Sequence, residues 1–270
     1  MSSLRLVCLG DLLLDVIVRL EQPLATGLRA DATAVTHTGP GGQAANVAAW
    51  AASLGSSATL VGKRGDDDAG RLVAAGLAAH GVDVLGPVVE GRNGVVVSLV
   101  SPDGDRTMAS DRGVAPDLRA DELDPAWFDG CDHLHLSGYS LLRSPIDGAA
   151  RRAASLAPRV SVDLSSWSVI EAFGAARFRA VLEELRPDVV FANEDEERLV
   201  GGPVEGAMWV LKRGAAGIVV DGVPHPAAPA EVVVDTTGAG DALAAGFLVG
   251  GSELGLAAAA RCVARLGSLP

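Results

Sequence analysis

The sequence predicts a three-layer α/β fold, in which helices cover both faces of a mostly parallel central sheet and a small β-sheet lid is attached. Short runs of Val, Leu and Ile alternate with Ala-rich segments of helical length, such as QAANVAAWAASL and AGRLVAAGLAAHG. Continuous apolar strands separated by helices are typical of a parallel sheet that is buried on both faces. This alternation is the observation that predicts the central layers.

The lid is predicted by two segments that interrupt the alternation. They lie at about residues 16–38 and 93–110, and both have β-type patterns without helices. Within the second segment, Pro102, Asp103 and Gly104 predict the turn of a hairpin. Ligands bind beyond the carboxyl ends of the strands in open α/β sheets, so we expect the two segments to form one sheet over that edge. Residues 1–270 are then one domain with a discontinuous lid.

Composition excludes several classes of protein. The 270 residues are 49% hydrophobic, which suffices for a large core, and the net charge of −12 argues against nucleic-acid or membrane partners. Three widely spaced cysteines give neither a disulfide framework nor a zinc knuckle, which favours a reducing cytoplasm. Charged residues interrupt the apolar N-terminus too often for a signal peptide or a membrane span. The apolar residues there predict a buried first strand and its continuation.

The strongest functional signal is DTTGAGDALAAGF, which begins at Asp235. A predicted strand ends at Asp235, and a predicted helix begins near Gly240. Gly238 and Gly240 allow the backbone to approach a ligand, and the free N–H groups of a helix start can bind phosphate. Asp241 in that first turn can accept a proton from an alcohol, so the segment predicts a phosphoryl-transfer site. The simpler alternative is a helix cap after a glycine turn.

A second glycine-rich segment, THTGPGGQAANVAAWAASLG, precedes another predicted helix. Gly41 and Gly42 bring the backbone close to a ligand, and Asn46 lies one turn into the helix, where its amide can face the same opening. Such a loop suits a polyhydroxylated ligand. Gly39, Gly41 and Ala44 also match the dinucleotide fingerprint, but the segment does not follow the first strand and the required acidic residue is missing.

The two segments occur together, and the chain resembles the ribokinase-like, or PfkB, family of carbohydrate kinases over essentially its whole length. GPGGQAANVAAWAASLG resembles the N-terminal signature of that family, and DTTGAGDALAAGF resembles its C-terminal signature. The resemblance implies a ribokinase-like fold and ATP-dependent phosphorylation of a hydroxyl on a sugar or sugar-like molecule. It also implies Mg²⁺ with the nucleotide and, as in many relatives, a monovalent cation such as K⁺.

The resemblance also implies roles for individual residues. Asp241 is the general base, and the N–H groups of Gly238, Ala239 and Gly240 stabilise the transferring phosphoryl group. The acceptor is expected to contact Asp15, Gly41, Gly42, Asn46 and Arg112. ATP is expected to contact Asn193, Lys212, Arg213 and Gly214. Glu196 is expected to hold Mg²⁺ through water, and Asp235 and Thr237 are expected to flank the monovalent cation.

Several polar groups have a second interpretation. Residues 131–135 place one cysteine and two histidines on one strand face, which suits either a metal or a hydrogen-bonded core. The acidic residues 66–68 could bind Mg²⁺ or cap the next helix. Asp163 and Trp167 follow a predicted core strand, where they could shape the site or cap a loop. Arg112 could meet a phosphorylated acceptor or form a surface ion pair.

Four features depart from the family pattern. Leu13 stands where a polar residue is common, and Ala44 replaces a common glycine, which leaves the acceptor open. The segment 199–208 is shorter than the family's usual helix-containing insertion, and the sequence ends at Pro270, where relatives continue with a helix. We therefore expect either a remodelled sheet edge or a more open nucleotide pocket, with reduced activity.

Two other functions stay open. One is a nucleoside kinase of the same fold, which would need a lid pocket for a base. The other is a non-catalytic sugar or nucleotide sensor. Because an exposed strand edge can pair with another chain, a homodimer through the lid is a further prediction.

Overall fold

The computed structural model describes residues 3–23, 31–103, 106–230 and 232–270. The strands are β1 (Arg5–Leu9), β2 (Leu13–Leu20), β3 (Ala34–Gly41), β4 (Ser57–Val61), β5 (Arg64–Gly65), β6 (Val82–Leu85), β7 (Val88–Val89), β8 (Asn93–Val100), β9 (Arg106–Gly113), β10 (His133–Ser137), β11 (Val160–Asp163), β12 (Val189–Asn193), β13 (Met208–Lys212), β14 (Ile218–Val220) and β15 (Val223–His225). The helices are α1 (Gln43–Ser53), α2 (Asp68–Ala79), α3 (Ile146–Ala154), α4 (Trp167–Phe173), α5 (Ala175–Leu185), α6 (Glu194–Val200) and α7 (Ala239–Val263).

Among these described residues, nine strands form the central sheet in the order β15-β14-β13-β12-β11-β10-β1-β4-β6. The strands from β13 to β6 are parallel, and β14 and β15 add an antiparallel hairpin at one edge. Strand β1 shows why two helical layers are needed. Leu6 and Cys8 join the apolar cluster of α1, α2 and α7, whereas Val7 and Leu9 join that of α3 to α6. The predicted three-layer α/β fold is confirmed.

A second sheet has the order β3-β2-β8-β9. It joins two distant parts of the chain because β2 pairs with β3 on one side and with β8 on the other. Its strands extend over 13–41 and 93–113, beyond the predicted 16–38 and 93–110, because the β2/β3 register begins at Leu13↔Gly41. Pro102 and Asp103 lie in the expected turn, while Gly104 and residues 24–30 lie outside the described residues.

The strand predicted to end at Asp235 is absent from the described residues 232–235. A run of valines favours a strand, but Val232 and Val233 are 59% and 65% exposed. The N–H of Val234 instead donates to the carbonyl of Val263 at the end of α7, at 2.7 Å. The apolar pattern was therefore misleading, because none of the described strands pairs with this run.

The expected remodelling near residues 199–208 is also wrong for the sheet itself. Strands β12 and β13 pair in parallel over five residues, from Val189↔Met208 to Asn193↔Lys212. Their connection contains the short helix α6 and ends its helical part at Gly201, whose φ of 82° is left-handed. A compact crossover therefore preserves the regular sheet.

Helix α7 is the one helix of the described residues that is long and apolar enough to cross a membrane. Its residues Ala242, Leu243, Ala244 and Ala245 are buried in the same apolar cluster as α1. That packing is expected of a core helix. It brings the start of α7 beside the glycine-rich entry to α1.

Candidate active site

The turn before α7 is shaped by Gly238. This residue is the N-cap of α7 and has a φ of 76°, a conformation that glycine adopts without a steric penalty. A Cβ on Gly238 would lie 2.6 Å from the Cα and the Cβ of Ser268, so no side chain fits there. The turn is therefore pressed directly against the segment that follows α7.

Of the three N–H groups predicted to bind the phosphoryl group, that of Ala239 is already hydrogen-bonded within the turn. Ala239 donates its N–H to the carbonyl of Thr236 at 3.3 Å, because the turn closes on itself there. No hydrogen bond is recorded within the described residues for the N–H of Gly238 or Gly240. Two of the three predicted donors are therefore free at the positive end of the helix dipole.

Asp241 lies in the first turn of α7 and is half-buried. Its Oδ2 accepts a hydrogen bond from Nδ2 of Asn46 in α1 at 2.8 Å. Burial raises the pKa of Asp241 to about 7, with further contributions from the charges of Asp163 and Asp15, against the opposing effects of Asn46 and Lys212. A carboxyl group with this pKa is well matched to proton transfer near neutral pH.

A positive charge lies beside the same turn. The ammonium of Lys212, at the end of β13, is 2.7 Å from Oδ2 of Asp163, at the end of β11. A Cβ built on Gly240 would be only 3.6 Å from that ammonium. Burial alone would lower the pKa of Lys212, but Asp163 and Glu196 outweigh it and the pKa is raised. Lys212 therefore stays charged next to the free N–H groups.

Asp15 lies on β2 of the second sheet, over the backbone of Gly41. A Cβ on Gly41 would lie 2.1 Å from Cγ of Asp15, so glycine at position 41 makes room for this carboxylate. Gly42 has a φ of 99° and packs on the carbonyl of Asp11. Burial raises the pKa of Asp15 to about 6, although the charge of Arg106 opposes the shift.

A cavity of about 340 Å³ separates the second sheet from the segment after α7. Its walls include Asp15, Ile17 and His37 of the second sheet and Ser268 of that segment. Asp241 does not line the cavity, but Ser268 is linked to it through Asn46. Asp241 is thus linked, through Asn46, to a residue that lines the same cavity as Asp15.

Arg112 is already paired. Its guanidinium makes two hydrogen bonds to the carboxylate of Asp11, one of them 2.9 Å from Nη2 to Oδ1. It also lies 5.8 Å from the ring centroid of Tyr139. The side chain of Asp11 is 8% exposed, so this is a largely buried ion pair and not a surface pair. The predicted contact of Arg112 with the acceptor would have to use the remaining N–H groups of Nη1 and Nη2.

Asn193 and Glu196 form a capping box at the start of α6. Asn193 Oδ1 accepts from the N–H of Glu196, and Glu196 Oε2 accepts from the N–H of Asn193, both at 2.8 Å. Burial raises the pKa of Glu196, against the charge of Lys212. A carboxylate oxygen suits Mg²⁺, and the capping box leaves Oε1 of Glu196 for a water of the ion's shell.

Two predicted nucleotide contacts lie at the surface. Arg213 is exposed and its Nε is 3.0 Å from Oε1 of Glu194. Gly214 begins a 3₁₀ turn and is also exposed. The sequence predicted the loop they occupy, but the structure places only Lys212 from that loop beside the turn at Gly240.

Asp235, which is expected to flank a monovalent cation together with Thr237, is hydrogen-bonded within its own turn and to the segment after α7. Oδ1 accepts from the N–H and the hydroxyl of Thr237 at 2.9 and 2.6 Å, and Oδ2 accepts from the N–H of Gly267 at 3.1 Å. Arg106 of the second sheet lies 3.9 Å from Oδ1. Burial would raise the pKa of Asp235, but these hydrogen bonds outweigh it and the pKa is lowered. The carboxylate of Asp235 therefore stays ionised, and its contact with a monovalent cation stays a prediction.

The alternative metal interpretations find no support. No group of three or more His, Cys, Asp or Glu side chains in the described part of the chain is arranged to hold a metal. His135 is fully buried and its Nδ1 is 2.9 Å from the hydroxyl of Ser161. Asp67 caps α2 by accepting from the N–H of Gly70 at 2.8 Å. Both side chains thus make hydrogen bonds within the fold.

Two residues of the site were missed or left undecided by sequence reasoning. Asp163 was an even choice between site and loop, because its partner Lys212 is 49 positions away and no pattern links them. Ser268 was not considered, because a lone serine after a helix carries no signal. Only folding reveals that it contacts Asn46.

Comparison with known proteins finds a family match along nearly the whole chain. Residues 3–269 match the family described as pfkB family carbohydrate kinase. The chain is 34% identical to the ATP-dependent ribose-1-phosphate kinase of Halopiger xanaduensis, over 90% of this chain and 83% of that protein. It is 32% identical to a fructokinase of Escherichia coli, over 84% and 81% of the two chains.

A solved structure is similar over the full length. The adenosine kinase from Sinorhizobium meliloti superimposes with a TM-score of 0.86 at 25% sequence identity, covering 100% of this chain and 96% of that one.

Proposed function

The chain belongs to the pfkB family of carbohydrate kinases, and on that premise we propose that Asp241 activates the acceptor hydroxyl for attack on the γ-phosphorus of ATP. The family predicted from the two glycine-rich signatures is confirmed. As a member, the protein is an ATP-dependent kinase that phosphorylates a sugar. The observation that carries the finer proposal is a half-buried carboxylate at the start of a helix, beside free N–H groups and an ammonium.

In the proposed reaction, the acceptor oxygen forms a bond to the γ-phosphorus, and its proton passes to the carboxylate of Asp241. The bond between the γ-phosphorus and the β,γ-bridging oxygen breaks, and ADP leaves with that electron pair. Asn46 holds the carboxylate in place through its hydrogen bond of 2.8 Å. A base with a pKa of about 7 can both accept this proton and release it to solvent at neutral pH.

Charge on the transferring group is the second requirement. Phosphoryl transfer is accelerated mainly by alignment and by stabilisation of negative charge. The free N–H groups of Gly238 and Gly240 and the ammonium of Lys212 supply positive charge on one side of the turn. When bound with ATP, Mg²⁺ would neutralise the phosphates. Glu196, close enough to Lys212 for their charges to interact, is the residue that would hold the ion's water.

The acceptor is proposed to be a sugar or a sugar phosphate in the cytoplasm. Asp15, on the cavity wall, would accept hydrogen bonds from its hydroxyl groups. The names of the two curated relatives favour ribose 1-phosphate and fructose as the first candidates. A nucleoside is the second candidate class, favoured by the similarity of the whole chain to an adenosine kinase.

The test is ADP release with ATP, Mg²⁺ and a panel that contains ribose, ribose 1-phosphate, fructose and adenosine. We expect activity with one member, and a loss of about 10²–10⁴-fold in rate for Asp241→Asn, because a positioned base contributes that much. Acceptor binding, measured by calorimetry, should be retained in the variant. If wild type and variant both bind a sugar and are equally inactive, the protein is a sensor and the catalytic proposal is wrong.

A further inference from the structure

The segment that follows α7, residues 265–270, is fastened to both sides of the candidate site. The carbonyl of Ser268 accepts a hydrogen bond from Nε1 of Trp50 in α1 at 2.8 Å. The N–H of Gly267 donates to Asp235 at 3.1 Å, and the backbone of Gly238 packs on Ser268. The segment is therefore held in one place relative to α1 and to the turn before α7.

A continuous hydrogen-bonded chain leads from this segment to the proposed base. The hydroxyl of Ser268 lies 3.1 Å from Oδ1 of Asn46, and Nδ2 of Asn46 lies 2.8 Å from Oδ2 of Asp241. Ser268 and Asn46 are only 5% and 6% exposed. Water therefore cannot readily replace either partner of the buried amide.

We propose that Ser268 is a positioning residue, whose hydroxyl holds the amide of Asn46 in the orientation that donates to the carboxylate of Asp241. This inference rests on the proposed function of Asp241 as the base. Asn46 and Trp50 are four residues apart on one face of α1, so the segment binds both through a single residue. Ser268 lines the cavity, but its hydroxyl is directed to Oδ1 of Asn46, and its proposed effect on Asp241 acts through that amide.

The chemistry of the groups explains why a donor is needed at this position. An ionised carboxylate only accepts hydrogen bonds, so it requires the NH₂ side of the Asn46 amide. That leaves the amide oxygen facing Ser268, where only a donor satisfies it. Without the hydroxyl, the buried oxygen loses its partner, and the amide gains by turning its oxygen toward a protonated Asp241. Loss of the hydroxyl should therefore stabilise the protonated form of the base.

Several other titratable groups influence Asp241, and their charges must be kept constant in a test. They come from strands, helices and loops around the site: Cys8, Asp15, Tyr139, Asp163, Lys212 and Cys262. Replacing a serine alters none of these charges. A change in the titration of Asp241 would then report on the orientation of the Asn46 amide, which lies between Ser268 and Asp241.

The experiment follows the ¹³C signal of the Asp241 carboxyl against pH in the full chain, with Asp241→Asn used for assignment. In Ser268→Ala we expect the pKa of Asp241 to rise by about 0.5 to 1, the size of a lost neutral hydrogen bond. Ser268→Thr, which keeps a hydroxyl, should restore the wild-type titration. Ser53→Ala is the matched control, because Ser53 donates to Trp50 on the same helix, through the Trp50 carbonyl.

The same variants are assayed for ADP release against pH. The acidic limb of kcat/KM should move upward in Ser268→Ala by the same amount as the pKa, with an unchanged KM for ATP. If Ser268→Ala does not fold, Ser268→Cys, with its weaker donor, should give a smaller rise in the same direction. An unchanged titration of Asp241 in a folded variant overturns the inference. Wild-type inactivity with a shifted titration would refute the proposed function while leaving the positioning role supported.

Discussion

The raised pKa of Asp241 suits catalysis, but it should make the folded protein less stable at neutral pH. Asp241 has a folded-state pKa of about 7 against an ordinary value of 3.8, so the folded protein binds the proton more tightly than the unfolded chain. Stability from this group is therefore present in acid and is lost as pH rises from about 4 to about 7. Above that range the protein carries a half-buried charge that Asn46 compensates only in part.

We therefore predict that Asp241→Asn is more stable than wild type at about pH 8. The gain should be about 1–3 kcal/mol, below the full linkage value because the side chain is partly exposed, and it should vanish near about pH 4. The measurement is urea denaturation at both pH values. Asp83→Asn, at an exposed strand position, is the control and should give no gain. Equal stability of Asp241→Asn and wild type at the higher pH would contradict this account.

At the scale of elements, the ends of β11 and β13 are held together across β12 by the ion pair of Asp163 and Lys212. Asp163 is 1% exposed and Lys212 is 17% exposed, so removing the ammonium leaves a buried charge without its partner. We predict that Lys212→Met costs about 3–5 kcal/mol. Asp163→Asn combined with Lys212→Met should recover part of that loss, as a double-mutant cycle by denaturation can measure. Additive effects of the two changes would argue against a direct pair.

The turn before α7 allows a comparison between two glycines of one helix. Gly238 and Gly251 have similar φ values, 76° and 81°, but only Gly238 packs against other atoms. Gly251→Ala should cost about 1–3 kcal/mol, because φ 81° with ψ −168° is a conformation essentially restricted to glycine, and should leave kcat unchanged. Gly238→Ala should also lower kcat, because its Cβ would collide with Ser268 and displace the N–H groups. Denaturation curves and steady-state kinetics of both variants test this, and equal effects would contradict it.

At the scale of the whole molecule, the sequence predicted an element correctly where its hydrophobic pattern matched the strands and helices that pack against it in the fold. Apolar runs separated by helices predicted the parallel sheet, because burial on both faces demands them. The valines at 232–234 have the same composition but find no strand to pair with, so composition alone gave the wrong element. The sequence predicted that the two lid segments form one sheet, but not which of their strands are neighbours: the parallel pairing of β2 with β8 depends on contacts across some 80 residues.

The candidate site was predictable to the extent that its residues lie in local signatures. Asp241, Asn46 and the glycines belong to two such segments, and the structure brings Asn46 and Asp241 within 2.8 Å. Asp163 and Ser268 have no signature, because their function comes from partners far along the chain. The pairing of Arg112 with Asp11 likewise depends on how the second sheet meets the central one. Charges that neutralise each other in space leave no trace in sequence spacing.

The second sheet leads to a last prediction, on assembly. Its outer strands β3 and β9 carry Val35 and Met108, which are 61% and 54% exposed. Through the register with β2 and β8, both lie on the face that also holds Ile17. Exposed apolar side chains and free strand edges favour pairing with a second chain, so we propose a homodimer through this sheet. Light scattering at micromolar concentration should give twice the chain mass, and Met108→Asp should reduce it to one chain while Asp83→Asn does not. A single-chain mass for the wild type would exclude this assembly.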